Sequence, residues 1–370
     1  MKILLLGEFS NVHWTLACAL RKLGHEVMVV SDGDTWKGYP ADVALCRRPG
    51  RLGSIAYLYK VLRLLPKLKG FDVVQLINPV HFIELKAERG IRIYEYLRRH
   101  NGKVFLGAFG YDYHYVYDSA VRRTLRYCDF YTPTREVYHD WNTLNVQDWL
   151  HTFKKDASIH VAETCDGIIS GLYEYDVAYR PYFPDKTTFV PMPIEVADDV
   201  SPISEEWIDG ERKIRFFIGI QRDRTMLKGT DIMLRALERI VADYPERAEM
   251  VKAESVPFAQ YKEMMRSSDV LLDQIYSYTP AMNALQAMSQ GLVVVSGGEE
   301  ENYEILGEVE LRPIINVQPD EEDVYRQLEQ LVLHPERIPQ LKRDSVEYVR
   351  RHHDSVKVAE RYLQAWGCNG

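Results

Sequence analysis

The chain has 370 residues, more than one hydrophobic core usually organises, so two domains are expected. Hydrophobic residues at 46% and charged residues at 27% are those of a globular protein, and no run approaches the ~18 apolar residues of a membrane-spanning helix. A formal net charge of -8 argues against general nucleic-acid binding, which needs a basic surface.

The first segment, Lys2 to Leu6, is an apolar run too short for a signal peptide and reads as a buried strand. Cys18, Cys46, Cys128, Cys165 and Cys368 are odd in number, scattered and never in a C-x-x-C pair. They predict neither a disulfide framework nor a zinc site, and together with the absent signal peptide they point to the cytoplasm. After a turn from Gly7 to Asn11, Val12 to Leu23 reads as a helix ending at Gly24, and EVMVVS as a second strand. Strand, helix and strand within about thirty residues require a parallel sheet with a right-handed crossover.

The same rhythm continues through apolar runs at 72–77, 103–108, 166–170 and 187–191, with helical patterns at 83–99 and 118–127. Residues 191–212 are rich in Pro, Asp and Glu without a period, the composition of an exposed connection. Beyond them the pattern restarts with strands at 213–219, EMVKA, 269–273, 292–296 and 314–316, interleaved with helices. From about Glu322 to Trp366 the pattern is helical without a strand. The expected fold class is therefore α/β, two Rossmann-like doubly wound domains facing a cleft, with a helical C-terminal tail. The domains are placed at 1–195 and 196–345, and a last helix at 346–370 is expected to pack back on the first domain.

Two stretches carry the chemistry. In 216–237 a strand ends at Gly219, a short loop holds Arg222, Arg224 and Lys228, and Gly229 releases the chain into a helix. Cations on such a loop can hold a diphosphate and neutralise it as a leaving group, although a solvated basic turn is the plain alternative. In 267–298 a strand reaches Asp273, and a loop of Tyr276, Ser277, Tyr278 and Thr279 leads into a helix with Thr279 as its N-cap and Pro280 first. That helix start would aim free amides at an oxyanion. Ala281, Leu285 and Met288 read as core, which leaves Tyr278, Thr279, Asn283 and Gln286 as candidates.

Lys228-Gly229, Ser268-Asp269-Val270 and Gln286-Ala287-Met288-Ser289-Gln290-Gly291-Leu292-Val293-Val294, with LACALRKLGHEVMVV near the N-terminus and VPMPIEV at 190–196, resemble the retaining, metal-independent nucleotide-sugar glycosyltransferases of GT-B architecture (glycosyl transferases group 1, family-4-like). The resemblance implies transfer of a hexosyl-type group from a nucleoside-diphosphate sugar to a glycan or glycolipid hydroxyl, in surface polysaccharide or glycoconjugate synthesis. No cofactor or metal is implied. Donor-binding residues would be Gly7, Lys228, one of Arg222 or Arg224, Thr279, Asn283 and Gln286. Where the group has two glutamates this chain has Tyr278 and Gln286, and tyrosine is no anionic base at neutral pH without a large pKa shift. Two alternatives follow: a catalytically silent nucleotide-sugar-binding homologue or partner subunit, and a nucleoside-diphosphate-sugar epimerase of the same fold.

Asp112 and His114 leave the carboxyl end of a strand and are expected to face the cleft, where a carboxylate could order an acceptor hydroxyl and a histidine could shuttle its proton. With Tyr278 they are the catalytic candidates, and His13 is a further one. Glu299, Glu300, Glu301 and Glu304 could supply a carboxylate from a neighbouring loop, but read rather as a solvated acidic turn. The aromatic segment 130–153 suits either an acceptor platform or core packing. From Arg47 to Lys69 there are seven Lys or Arg and no acid. Within 55–70, Leu58, Leu62 and Leu65 fall on one helical face and Lys60 and Arg63 on the other, which suits either a helix covering the sheet or peripheral contact with the inner face of a membrane.

Overall fold

The computed structural model describes residues 1–34, 37–137, 139–196, 212–221, 225–254, 256 and 258–367. Two compact units form. The first comprises Met1–Arg122, Thr143–Pro193 and Ser355–Gly370, the second Arg123–Asn142 and Ile194–Asp354.

Strands of the first unit are β1 (Lys2–Leu6), β2 (Glu26–Ser31), β3 (Val43–Ala44), β4 (Val73–Leu76), β5 (Lys103–Ala108), β6 (Gly167–Ser170) and β7 (Thr187–Phe189). Among the described residues they make one parallel sheet in the order β3-β2-β1-β4-β5-β6-β7, with Ile3 of β1 level with Val27 and Val73. Ile3 to Leu6, all of β4 and all of β6 are buried. Strands buried on both faces are those of a parallel sheet covered by helices on each side.

Covering helices are α1 (Val12–Lys22), α2 (Gly50–Leu64), α3 (Ala87–His100), α4 (Tyr113–Tyr117), α5 (Asp140–Leu150), α6 (Phe153–Thr164) and α7 (Tyr173–Tyr179). In α1 the buried residues Val12, Leu16, Ala19 and Leu20 recur at helical spacing, which gives one apolar stripe for the sheet. The helical pattern at 118–127 does not become an α-helix. A single π turn covers Asp118–Arg122, and the chain then enters the second unit without a period.

The second unit holds β8 (Ile214–Ile220), β9 (Ala248–Glu254), β10 (Val270–Leu272), β11 (Val293–Ser296) and β12 (Ile315–Asn316), parallel and in the order β12-β11-β10-β8-β9. Its helices are α8 (Thr225–Lys228), α9 (Thr230–Asp243), α10 (Phe258–Arg266), α11 (Met282–Ser289), α12 (Glu300–Leu306), α13 (Glu321–Leu333) and α14 (Ile338–His352). Phe216, Ile218, Val270, Leu272, Val293 and Val295 from the sheet pack with Met233, Leu237 and Ile240 of α9 and Val324, Leu328 and Leu331 of α13. Val137, from the segment that leaves the first unit, joins this core.

The chain ends back in the first unit. Helix α15 (Ser355–Ala365) packs on α1, and the fully buried Trp366 donates its indole N–H to Gln75 Oε1 in β4 at 3.1 Å. Lys103 Nζ closes the same corner on the Trp366 carbonyl at 2.9 Å. A buried indole N–H needs such an acceptor, and Gln75 supplies it from inside the sheet.

Candidate functional site

In a doubly wound sheet, ligands bind beyond the carboxyl ends of the strands where the order reverses. The reversal falls between β8 and β10 in the second unit and between β1 and β4 in the first. Of the residues singled out above, Gly7 follows β1, Lys228 follows β8, and Tyr278 and Thr279 follow β10, whereas Asp112 and His114 follow β5 and Glu299 follows β11.

After β8 the chain reaches Lys228 at the end of α8. Gly229 follows with φ +66°, and a Cβ there would lie 2.3 Å from Ile275 Cγ1, so only glycine lets the chain turn into α9 against the loop after β10. Lys228 Nζ lies 3.1 Å from Asp273 Oδ1, with the lysine side chain 31% exposed and the carboxylate 2%. Asn283 Nδ2 donates to the same oxygen at 2.9 Å, and Asn283 Oδ1 accepts the Tyr261 hydroxyl at 2.9 Å. Burial, with the nearby Asp273 charge, pushes the Tyr261 hydroxyl far above its ordinary value. Asp273 Oδ2 is buried without a hydrogen-bond partner among the described residues. Lys228 and Asn283 are thus brought together through a carboxylate, and a partly exposed ammonium is held at the strand-order reversal.

Arg222 and Arg224 lie outside the described residues. Thr279 is buried, but α11 begins at Met282 with Ala281 as N-cap and no side-chain cap, which corrects the expected Thr279–Pro280 start. Gln286 is on the exposed face of α11, where Nε2 donates to Ser289 Oγ at 3.1 Å.

Tyr278 lies in a separate network. Its ring is 4.9 Å from the Tyr127 ring and lies under the Arg126 guanidinium. Its hydroxyl accepts the Arg126 backbone N–H at 2.6 Å, and burial pushes that hydroxyl up to about 12. Arg126 also pairs with Glu299, at 2.7 Å, and with Glu301. Glu299 Oε1 further accepts Tyr127 Oη at 2.6 Å, Gln318 Nε2 at 2.6 Å and Asn316 Nδ2 at 3.0 Å. Burial alone would raise the Glu299 carboxyl, but the bonds from Tyr127, Asn316 and Gln318 with the Arg126 charge outweigh it and hold the group below the usual carboxylate range. The expected solvated acidic turn is therefore wrong at Glu299, because Arg126 and Tyr127 from the segment before α5 and Asn316 and Gln318 from the end of β12 compensate its desolvation.

At the first unit's reversal, Gly7 has φ +82° and a Cβ there would meet Ile77 Cγ2 at 2.3 Å. Glu8, 2% exposed, accepts the backbone N–H groups of His13 at 3.3 Å and Trp14 at 2.9 Å, capping α1. Burial pushes its carboxyl up to about 8 against those bonds. His13 donates from Nδ1 to the Gly7 carbonyl at 2.7 Å, its Nε2 is buried without a partner, and burial lowers it to about 4.

Asp112 and His114 were expected to face the cleft, and both are buried. Asp112 caps α4, accepting Tyr115 N at 3.0 Å and the Tyr179 hydroxyl at 2.7 Å, and burial raises it to about 6. His114 packs among Tyr113, Tyr179, Tyr182 and Phe183 with neither ring nitrogen bonded to a described residue, and burial lowers it to about 3. The aromatic segment divides too. Tyr131 and Trp149 are buried, Trp141 is 39% exposed, and Tyr138 lies outside the described residues.

Sequence reasoning did not single out Asp273, Tyr261, Arg126, Tyr127 and Glu8 as candidates. A carboxylate closing an apolar strand was the available signal for Asp273, while Arg126 lies 173 residues from Glu299 in a segment without a period.

No protein-family model matches the sequence, and no curated protein matches it significantly. Solved structures match over the whole chain. HepE from Anabaena, in complex with UDP and glucose, gives a TM-score of 0.60 at 10% identity, with 100% of each chain covered. WaaG, a glycosyltransferase involved in lipopolysaccharide biosynthesis, gives 0.51 at 13% identity, again with 100% of each. A candidate UDP-N-acetylglucosamine 2-epimerase from Listeria monocytogenes gives 0.54 at 12% identity, covering 98% of this chain and 95% of that one. With two parallel α/β sheets, each reversing order at its first strand, the chain has the GT-B fold.

Proposed function

We propose that this chain is a glycosyltransferase that moves a sugar from a nucleoside-diphosphate sugar to a glycan or glycolipid hydroxyl. The observation that carries the reading is the partly exposed Lys228 held by the buried Asp273 at the strand-order reversal of the second sheet. An ammonium fixed there binds a diphosphate and stabilises the charge that grows on it as the glycosidic bond breaks. Asp273 positions Lys228, Asn283 orients Asp273, and Thr279 in the loop before α11 and Gln286 on α11 contact the donor's ribose and sugar. In this reading Asp112 and His114 frame the acceptor side of the first unit through their packing rather than by moving a proton. Retention at the sugar carbon follows from the sequence resemblance.

A second reading has its own observation. Tyr278 is bound into the Arg126–Glu299 network with its hydroxyl pushed up to about 12, and Gln286 bonds to Ser289, which suits a nucleotide-sugar-binding protein without turnover. An epimerase of the same fold would also hold the diphosphate. Incubation with UDP-, GDP-, ADP- and dTDP-sugars in the presence of isolated glycolipids separates the three. Acceptor-dependent release of a nucleoside diphosphate supports transfer, interconversion of the nucleotide sugar without an acceptor supports epimerisation, and binding with neither supports the silent reading.

A further inference from the structure

Helix α2 has two apolar faces. Tyr57, Val61 and Leu64 are buried, with the Tyr57 hydroxyl accepting the Glu84 N–H at 2.9 Å, which accounts for the inner one. Opposite them Leu52, Ile55, Tyr59 and Leu62 are 83%, 65%, 59% and 52% exposed. At 3.6 residues per turn these four fall within an arc of about 80°. This differs from the expected face of Leu58, Leu62 and Leu65, and it begins a turn earlier, before residue 55. Single exposed apolar residues are ordinary on a surface, but a continuous stripe of four large ones marks an interaction site.

The stripe is bordered by cations. Arg48, Arg51, Lys60, Arg63, Lys67 and Lys69 are all exposed, and none forms an ion pair with a described residue. Arg63 rests over the Tyr59 ring at 5.6 Å, with its apolar stem along the stripe and its charge at the rim. From Arg47 to Lys69 no acid interrupts the seven basic residues, although the chain as a whole carries -8. The acidic excess therefore lies elsewhere.

We infer that α2 seats the protein on an anionic lipid surface, with Leu52, Ile55, Tyr59 and Leu62 in the headgroup boundary and Lys60, Arg63 and the flanking cations on lipid phosphates. Charge complementarity selects this occupant. A second copy of the chain would bring the same cations face to face across a two-fold axis, whereas an anionic surface neutralises them and takes the apolar stripe together. No helix among the described residues is long and apolar enough to cross a membrane, so the contact is interfacial. The inference stands independently of the transfer reaction proposed above.

Co-sedimentation of the full chain with vesicles of phosphatidylcholine alone, or mixed with an equal part of phosphatidylglycerol, tests it. The protein should pellet with the mixed vesicles and not with the neutral ones, and added salt should weaken the association. Lys60→Ser/Arg63→Ser and Leu52→Ser/Ile55→Ser/Leu62→Ser, all at exposed positions, should each lower partition roughly tenfold or more. Tyr59→Trp in the otherwise native chain gives an independent readout, a blue-shifted emission on the mixed vesicles alone. Equal partition on both vesicle types, or partition that neither multiple variant lowers, overturns the inference. A dimer dissociated by the Leu52/Ile55/Leu62 variant, without vesicle binding, also overturns it and assigns the face to a second copy.

Discussion

The strand-end loops of the two units are built from opposite materials. In the first unit the loops beyond β1 and β5 hold Glu8, His13, Asp112 and His114, all buried and all pushed by burial towards their neutral forms. In the second unit, Lys228–Asp273 and Arg126–Glu299 are charge pairs, each with a buried carboxylate and a partly exposed cation. Desolvation decides the first set, while at Glu299 the hydrogen bonds and the Arg126 charge outweigh it. A site that must hold a diphosphate needs kept charge. A surface that presents a sugar hydroxyl does not.

The largest effect expected from breaking this contrast is at Glu299. Glu299→Ala leaves Tyr127, Gln318, Asn316 and Arg126 without their shared acceptor, and the loss should be about 3–5 kcal/mol in denaturant unfolding of the second unit. A loss under about 1 kcal/mol would mean the network is not a determinant of stability.

In the first unit pH sharpens the comparison. Glu8 is raised in the folded state, so its contribution to stability is present below the unfolded carboxylate range and is lost as pH rises towards about 8. Glu8→Gln should therefore gain stability relative to the parent between pH ~5 and ~8, by about 1.4 kcal/mol per pH unit crossed at most, followed by urea midpoints. His114 has the opposite sign. Its value is lowered, so its contribution is present above pH ~6.5 and is lost as pH falls towards about 3. His114→Phe, which keeps the ring contacts, should raise the melting temperature more at pH ~5 than at pH ~8, and an equal change at both would remove the titration from the account.

The smallest effect is expected at Tyr278. Tyr278→Phe removes one acceptor from the Arg126 N–H and should cost about 1 kcal/mol of stability. If the hydroxyl also touches the donor sugar, turnover will fall more than nucleotide affinity, and unchanged turnover would retire that role.

Much of the fold was legible because parallel strands buried on both faces leave continuous apolar runs, and β1, β5, β8 and β11 each stand out that way. The two-residue β3 left no run to read. The helical pattern at 118–127 was misread because the chain beyond Arg122 is fixed by single bonds rather than by a repeating face: Tyr131 Oη donates to the Leu125 carbonyl at 2.6 Å, and Asn142 Nδ2 to the Asp129 carbonyl at 2.7 Å. Within the site, Lys228-Gly229 was visible as a motif, since glycine before a helix has a stated backbone reason. Glu299 was hidden by its neighbours, because an acidic triplet looks solvated until Arg126, Asn316 and Gln318 are brought to it by the fold. The burial of Asp112 and His114 was illegible for a related reason. Strand-end position fixes where a loop starts, and packing alone decides which way its side chains turn.

The central claim is that Lys228, held by Asp273, grips a nucleoside diphosphate. Calorimetric titration of the chain with UDP, GDP, ADP and dTDP, repeated on Lys228→Ala, tests it most directly. One nucleotide should bind in preference, and the variant should lose roughly 1.5–3 kcal/mol of its affinity, the scale of a charge-assisted bond. Binding by none of the four, or an affinity that Lys228→Ala leaves unchanged, would contradict it.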